Sequence, residues 1–276
     1  MPIIALFAGA LFGGSALVAT SAYFIGVAAV VISGIMLKKF KAFAGEPAPF
    51  VMELPAYHAP SASNVLRSMW ERGWSFIKRA GTIILLSTII LWFLSNFGFA
   101  DGGFGWVEDS DASLLAAVGS VIAVIFIPLG FGNWQAAVAT ITGLIAKEEV
   151  VSTMQVFYPG DLIANIAMAF TAASAYSFMV FNLLCAPCFA AMGAIKREMN
   201  NAKWTWAAIG YMCGFAYVAS LIVYQLGGLF TGAVTFGVWT VVALAALAAI
   251  IYLLVRKGYQ GEDRSRQLSS VAAAAR

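Results

Sequence analysis

Long runs of apolar residues alternate with short polar segments along almost the whole chain of 276 residues. A membrane-crossing helix needs about 20 consecutive apolar residues to span a hydrocarbon core of about 30 Å. The pattern therefore predicts an all-α, polytopic transmembrane domain. We expect uninterrupted spanning helices at about 15–37, from 80 to 94 or 97, at 205–226 and at 234–255.

Two apolar runs contain helix breakers, which predicts a gate built from interrupted helices. The run at 116–146 is divided at 128–132 into halves of about fifteen residues, each short for a full crossing. The run at 166–195 is too long for one straight span and is broken near Pro187. We favour a re-entrant hairpin at 116–146 followed by one broken crossing, because such pairs form midplane binding sites in secondary transporters. Three short crossings are the alternative.

Charged residues indicate how the chain is oriented in the membrane and how it divides into segments. Basic residues at 38–41 and 196–203 predict the cytoplasmic side, and the loop at 98–111, acidic and without Lys or Arg, predicts the outer side. The hairpin then leaves Lys147 outside, against this rule. The predicted segments are a cytoplasmic connector with an amphipathic helix at 38–79, a spanning helix with an outer acidic loop at 80–115, a gate at 116–198, two spanning helices at 199–255 and a disordered cytoplasmic tail at 256–276.

The segment at 61–79 has the pattern of an amphipathic helix. It combines apolar residues at helical spacing with four basic residues, and Ser61 or Ser63 can cap its start. Such a helix lies at the cytoplasmic interface with its apolar face toward lipid. A solvated helix packed on the membrane domain fits the same pattern equally well.

Composition supports the membrane assignment and excludes several classes of function. The chain is 62% hydrophobic and 11% charged, whereas soluble domains carry about 25% charged residues. A net charge of +3, scattered along the chain, gives no basis for a nucleic-acid partner. The sequence contains no P-loop, dinucleotide-binding, metalloprotease or serine-hydrolase motif. We therefore expect no enzyme and no GTP site in this chain, and expect any energy-coupling module on another chain or in a missing region.

The most informative chemistry lies at Cys185 and Cys188, two thiols that flank Pro187 inside an apolar run. Unwound backbone in a membrane is tolerated where it is buried in protein or lines a cavity, so this break is a candidate site. A zinc site lacks ligands because the single histidine, His58, is distant, and the haem-attachment and thioredoxin-like patterns are incomplete. A membrane metal-relay site remains, and packing of two small apolar thiols is the alternative.

Other side chains extend the candidate site beyond the thiols. Met179 and Asn182 place soft and polar atoms within about two helical turns of them. The charged residues at 147–149 end the hairpin, and a charge at membrane depth costs about 2.5–3.5 kcal/mol on insertion scales. These charges are therefore functional if they lie within the membrane, and are local capping groups if they lie at its surface.

Eight short motifs follow one another along the chain. They are GEPAPFVMELPAY at 45–57, WER at 70–72, FIKRAGT at 76–82, PLGFGNWQAA at 128–137, AKE at 146–148, PC at 187–188, AIKRE at 194–198 and YQLG at 224–227. In this order they resemble the C-terminal membrane half, with its second gate region, of the ferrous iron transport protein B (FeoB) family. The resemblance extends from residue 1 to about residue 230.

The resemblance implies a multi-pass protein of a bacterial-type inner membrane, with a cytoplasmic C-terminus and with Fe²⁺ as the transported substrate. In that family a cytosolic GTPase and a first gate, related to the second gate by an inverted repeat, precede this region. We expect those parts on another chain or missing here, with residues 1–37 as the end of the first gate and one spanning helix. The implied partners are the lipid bilayer and Fe²⁺, and a homo-oligomer is left open.

The resemblance also implies one residue that meets the metal, because Cys188 matches the gate cysteine by position. In our interpretation Cys188 would be a transient sulfur ligand, assisted by Cys185 and Met179. Glu148 would offset the cationic charge near the exit of the hairpin. Cys185 and Glu149 depart from the family pattern.

Two other functions stay open from the sequence. A gate-containing transporter of nucleosides or another organic solute would depend on Asn133, Gln135 and Glu148, and would be indifferent to both thiols. A non-transporting structural subunit or remnant would leave the pathway to its partner.

Overall fold

A computed structural model describes residues 2–40, 61–100, 103–107 and 110–256, and these residues fold almost entirely into α-helices. A two-stranded antiparallel hairpin, β1 (Phe97–Ala100) and β2 (Gly103–Trp106), follows the third helix. The predicted all-α class is confirmed. The helices are α1 (Pro2–Leu11), α2 (Ala16–Lys38), α3 (Ala62–Asn96), α4 (Leu114–Phe126), α5 (Trp134–Ile145), α6 (Glu149–Phe157), α7 (Leu162–Ala169), α8 (Ala172–Leu184), α9 (Phe189–Met199), α10 (Ala202–Thr231) and α11 (Val238–Val255).

Within the described residues, three helices are long and apolar enough to cross a membrane, namely α2, α10 and α11. Two bent pairs bring the number to five if each pair counts as one span: α4 with α5, bent by 98°, and α7 with α8, bent by 103°. The chain is therefore a multi-pass membrane protein, as predicted. Its orientation in the membrane stays a prediction.

The three spanning helices lie where the apolar runs predicted them. Helix α10 is longer at both ends than the predicted 205–226, because both of its ends are capped. The Asn201 side chain accepts a hydrogen bond from the Lys203 backbone N–H, and Gly232 ends the helix in a left-handed conformation at φ 72°.

Helix α3 differs from the sequence prediction, which separated an amphipathic helix at 61–79 from a spanning helix after it. The structure has one continuous helix of 35 residues, which begins at a cap from the Ser61 side chain to Asn64 N–H. No proline lies between residues 62 and 96, and the isolated Gly73 and Gly81 do not interrupt the helix. The connector at 41–60 and the tail at 257–276 lie outside the described residues.

The first predicted break is present at 127–133, between α4 and α5. A single turn of 3₁₀-helix, Ile127–Leu129, ends at Gly130, whose φ of 86° is left-handed. Backbone carbonyls freed by this turn are bound by other helices: Gln225 Nε2 donates to Pro128 O over 2.9 Å, and Ser177 Oγ donates to Leu129 O over 2.9 Å. The turn is thus held inside the protein, as unwound backbone in a membrane requires.

The second predicted break is also present, because α8 ends at Leu184 and α9 begins at Phe189. A further break at 170–171, which the sequence analysis did not predict, separates α7 from α8. There the Thr171 and Ser174 side chains form a reciprocal capping box that starts α8. Helices α6 and α7 were not predicted either.

Helix α8 lies in the core and packs most extensively against α10. Its fully buried Phe178 ring lies 5.2 Å, between centroids, from Phe7 on α1 and also 5.2 Å from Phe131 in the first break. Ser177 Oγ and Ser220 Oγ share a buried hydrogen bond of 2.7 Å between α8 and α10. Aromatic packing and interhelical hydroxyl pairs therefore fix the helix that leads directly into the second break.

Candidate functional site

The non-helical segment between α8 and α9 carries both candidate thiols. Cys185 follows the last residue of α8 with an extended backbone (φ −62°, ψ 167°), and Cys188 precedes the first residue of α9. Pro187 has no N–H, so it cannot donate to the helix end that it follows. Cys185 is buried, with 6% of its surface exposed, and Cys188 is half-buried. Both thiols are free.

Lys147 reaches this segment from the break between α5 and α6. Its ammonium donates to the backbone oxygen of Asn182 over 2.6 Å and to Cys185 Sγ over 3.0 Å. The last carbonyls of a helix have no partner within the helix and form its negative end. A lysine ammonium at the C-terminal end of α8 is therefore favourably placed.

Asn182 carries a second oxygen, the side-chain Oδ1, three residues before Cys185 in the sequence. The residue is 2% exposed, and its Nδ2 donates to Phe178 O over 3.0 Å. Its Oδ1 is buried without a hydrogen-bond partner, the single such side-chain atom among the described residues. Gly143 on α5 faces this oxygen, since a Cβ built there would lie 3.5 Å from Oδ1. A buried amide oxygen left open in this way is a vacant acceptor for a donor or a cation.

Lys147 contributes to the walls of two cavities. The smaller has a volume of about 270 Å³ and the larger a volume of about 600 Å³, and Lys147 and Leu183 line both. Helices α1 and α8 enclose the smaller cavity, whose other lining residues are Pro2, Ile3, Ile4, Met179 and Asn182. Helices α2, α8 and α10 enclose the larger, whose other lining residues are Gly26, Ala29, Val30, Ser33, Gly34, Leu37, Leu184, Cys185, Pro187, Tyr211, Met212 and Phe215.

The four predicted metal ligands are distributed over this region. Met179, fully buried, lines the smaller cavity, and Cys185 lines the larger. Cys188 and Glu148 line neither cavity, and Glu148 is exposed. No group of three or more His, Cys, Asp or Glu side chains comes together in the described part of the chain. The ligand set therefore stays a prediction.

The contact between Lys147 and Cys185 has an electrostatic consequence. A second positive charge about 4 Å from an ammonium is opposed by about 4 kcal/mol per unit charge at an effective dielectric constant of about 20. A divalent cation cannot bind Cys185 while the ammonium occupies its present place. The sequence analysis noted Lys147 and Asn182 but did not connect them, because no local pattern reports a contact between residues 35 positions apart.

A third cavity, of about 200 Å³, lies between α3, α4, α5 and α6. It is lined by Glu149 and by several hydroxyls, and Thr153 Oγ1 donates to Thr142 Oγ1 over 3.1 Å at its wall. Neither thiol lines it. The oxygen atoms that could bind a ligand in this cavity therefore lie apart from the thiols of the second break.

The polar residues after the first break have structural partners. Asn133 Oδ1 accepts from Ala136 N–H over 2.7 Å and so caps α5. Trp134 Nε1 donates to Asp111 over 3.0 Å, and the Trp134 ring lies 4.7 Å from that of Phe157. Asn133 and Trp134 thus hold the start of α5 in place, through the Asn133 carbonyl oxygen and the Trp134 indole N–H.

Two protein families match this chain. The model of the ferrous iron transport protein B C terminus matches residues 19–72. The Gate family, described as nucleoside recognition, matches residues 77–202. The second match includes both breaks, Lys147, Asn182 and the two thiols of the candidate site.

Curated proteins similar to this chain are Fe(2+) transporters by name. The Fe(2+) transporter FeoB of Staphylococcus aureus (strain COL) is 38% identical over 235 residues, covering 83% of this chain and 34% of that protein. The Fe(2+) transporter FeoB of Methanocaldococcus jannaschii is 38% identical over 240 residues, covering 83% of this chain and 35% of that protein. The Fe(2+) transporter FeoB of Salmonella typhimurium is 30% identical over 321 residues, covering 95% of this chain and 41% of that protein. The chain spans roughly a third of the length of these relatives. No solved structure matches it.

Proposed function

Because the chain belongs to the ferrous iron transport protein B (FeoB) family, we propose that its interrupted helices form part of a pathway for Fe²⁺ across the membrane. The relatives named above are Fe(2+) transporters, and the matched regions contain the gate segments of this chain. In this proposal the chain conducts the ion and catalyses no reaction. A cytosolic GTPase and a first gate would act with it, and its C-terminus would lie in the cytoplasm of a bacterial-type cell.

The observation that carries the proposal is the break between α8 and α9. It holds two free thiols in non-helical backbone, and Cys185 lines one of the two cavities whose walls include Lys147. Unwound membrane backbone at the junction of half-helices is the usual place for an ion site in secondary transporters. The position of the thiols therefore supports a role in passing a cation.

We assign Cys188 as the transient sulfur ligand, with Cys185 and Met179 as assisting ligands. Sulfur suits borderline first-row metals, and affinity alone does not separate Fe²⁺ from zinc or copper. A site with few, partly separated ligands binds weakly and releases its ion, which transport requires. The exposed Glu148 would offset positive charge near the end of α5.

The Gate family description, nucleoside recognition, favours a second candidate, transport of an organic solute. That function would use the polar side chains of Asn133, Gln135 and Glu148. The Asn133 carbonyl is already engaged in capping α5, so it offers little to a solute. The curated relatives are Fe(2+) transporters by name, which makes Fe²⁺ the better-supported substrate.

The test is uptake of radiolabelled Fe²⁺ by cells that carry the complete gene product and lack other ferrous uptake systems. We expect Cys188→Ser to lower the initial uptake rate severalfold at equal protein abundance, because a hydroxyl is a poor substitute for a thiolate toward a borderline metal. Cys213→Ser is the comparison variant, since Cys213 is also a free, half-buried thiol but lies in the regular helix α10, close enough to Cys185 to interact with it electrostatically. We expect a smaller loss of uptake from Cys213→Ser than from Cys188→Ser.

The same cells are assayed for nucleoside uptake. Unchanged Fe²⁺ uptake in Cys188→Ser would contradict the assigned ligand. Nucleoside uptake that depends on Gln135, together with no dependence of Fe²⁺ uptake on either thiol, would replace the proposal with the second candidate.

A further inference from the structure

Lys147 is the starting point, because no carboxylate among the described residues forms an ion pair with its ammonium within 4 Å. Among the described residues the one ion pair joins Arg67 to Glu71, and it is on the exposed first half of α3. The Lys147 ammonium is bound instead by a backbone oxygen and a thiol at the end of α8. A half-buried ammonium held by neutral acceptors is held less firmly than one in a buried ion pair.

The groups around the ammonium are ligands that a metal cation also accepts. They are Cys185 Sγ and the Asn182 backbone oxygen. Asn182 also carries the buried, unpartnered Oδ1, and this residue lines the smaller cavity together with Lys147. One sulfur and one carbonyl oxygen at the C-terminal end of α8, with a further amide oxygen on Asn182, are an incomplete set of ligands for a borderline divalent metal.

Lys147 also borders both cavities. It lines the cavity that contains Met179 and the cavity that contains Cys185. A cation in either cavity next to Cys185 or Asn182 is therefore close to this side chain, and repulsion between like charges opposes simultaneous occupation at this distance.

We propose that the Lys147 ammonium is a tethered cation that occupies the Cys185–Asn182 site and is displaced from it by a travelling divalent metal. The inference rests on the proposed Fe²⁺ pathway and adds to it an exchange between the lysine ammonium and the metal ion. When the metal binds, the Cys185 thiol transfers its proton to water as the metal–sulfur bond forms, and Lys147 moves away still protonated. When the metal leaves, the ammonium returns. The site is therefore never without a positive charge and never holds two cations.

Two properties follow from this exchange. Metal binding at Cys185 is weakened by the competing ammonium, which favours release of the ion. Hard cations such as Mg²⁺ gain nothing from the sulfur and dehydrate reluctantly, so they do not displace the lysine. Lys147 thus acts as a positioning and selectivity residue and is not itself a ligand.

The first test uses the unaltered protein in detergent under anaerobic conditions. Amine-reactive labelling, read by mass spectrometry, reports how far each lysine is available. We expect Fe²⁺ to raise the labelling rate of Lys147 severalfold, Mg²⁺ to leave it unchanged, and the exposed Lys203 to label equally in all conditions. Labelling of Lys147 that Fe²⁺ leaves unchanged or lowers would overturn the proposal.

The second test measures the dissociation constant for Fe²⁺ by competition with a coloured chelator. Lys147→Met keeps most of the aliphatic stem and removes the competing charge, so we expect tighter binding, and Cys185→Ser in the same background should reverse the gain. Lys203→Met is the matched control. Weaker or equal binding in Lys147→Met would identify the lysine as a helix cap only. These readouts do not use Cys188, so a failure of the Cys188→Ser uptake test would leave them unaffected.

Discussion

Gly143 lies where α5 approaches the buried amide of Asn182, and it makes room for two neighbours. A Cβ at this position would lie 2.7 Å from Val150 Cγ2 on α6 and 3.5 Å from Asn182 Oδ1. The absence of a side chain therefore lets α6 pack closely against α5, whereas a Cβ at 3.5 Å from Oδ1 would only touch the amide in an ordinary van der Waals contact.

We predict that Gly143→Ala destabilises the protein by about 1–3 kcal/mol, the usual cost of inserting a methyl group into a packed interior. The measurement is thermal unfolding of the purified protein in detergent. Gly210→Ala on α10 is the control, because a Cβ there meets nothing within 4 Å and alanine favours a helix. Equal melting temperatures for the two variants would show that the contact with Val150 is not tight.

At the scale of the elements, the first break is stabilised by helices distant in sequence. Gln225 on α10 donates to Pro128 O and accepts from Thr240 on α11, so one side chain connects the turn to two helices. Gly130 packs directly against the Tyr224 ring, and a Cβ on Gly130 would overlap that ring. The turn is thus a fixed part of the core, and the ion pathway would pass rigid half-helices.

Gly130→Ala is predicted to cost about 2–5 kcal/mol, the sum of left-handed backbone strain and overpacking against Tyr224. Gly160→Ala separates the two causes, because Gly160 has a similar φ of 90° but no atom within 4 Å of a Cβ. It should cost only the strain, about 1–2 kcal/mol. Unfolding of both variants in detergent provides the comparison, and equal losses would rule out the Tyr224 contact as a cause.

At the scale of the whole molecule, the sequence predicts the parts of the fold that depend on local patterns. Uninterrupted apolar runs in the sequence predicted the positions of α2, α10 and α11. Proline and glycine residues predicted the breaks that the structure has at 127–133 and 185–188. Capping and packing decided the rest: α3 continues through the predicted boundary at 79–80, and β1 and β2 form where only an acidic loop was expected. Pro159 and Gly160 lie between α6 and α7. These two helices are too short to span a membrane, so no long apolar run in the sequence predicts them.

The candidate site divides in the same way. The thiol-bearing break was predictable from Cys185, Pro187 and Cys188, because helix breakers and sulfur are visible in the sequence. The contact of Lys147 with Asn182 and Cys185 depends on how α5 and α8 pack, which no local periodicity encodes. A site assembled from distant segments therefore needs the tertiary structure before its chemistry can be described.

The central claim is that Fe²⁺ meets the thiols of the break between α8 and α9, and protection of those thiols from alkylation tests it most directly. The complete gene product in membranes is alkylated anaerobically with and without Fe²⁺, and each cysteine is quantified by mass spectrometry. We predict slower alkylation of Cys188 and Cys185 with Fe²⁺ and an unchanged rate with Mg²⁺, a hard cation that does not bind sulfur, as the control. Equal rates at Cys188 and Cys185 with and without Fe²⁺ would contradict the account.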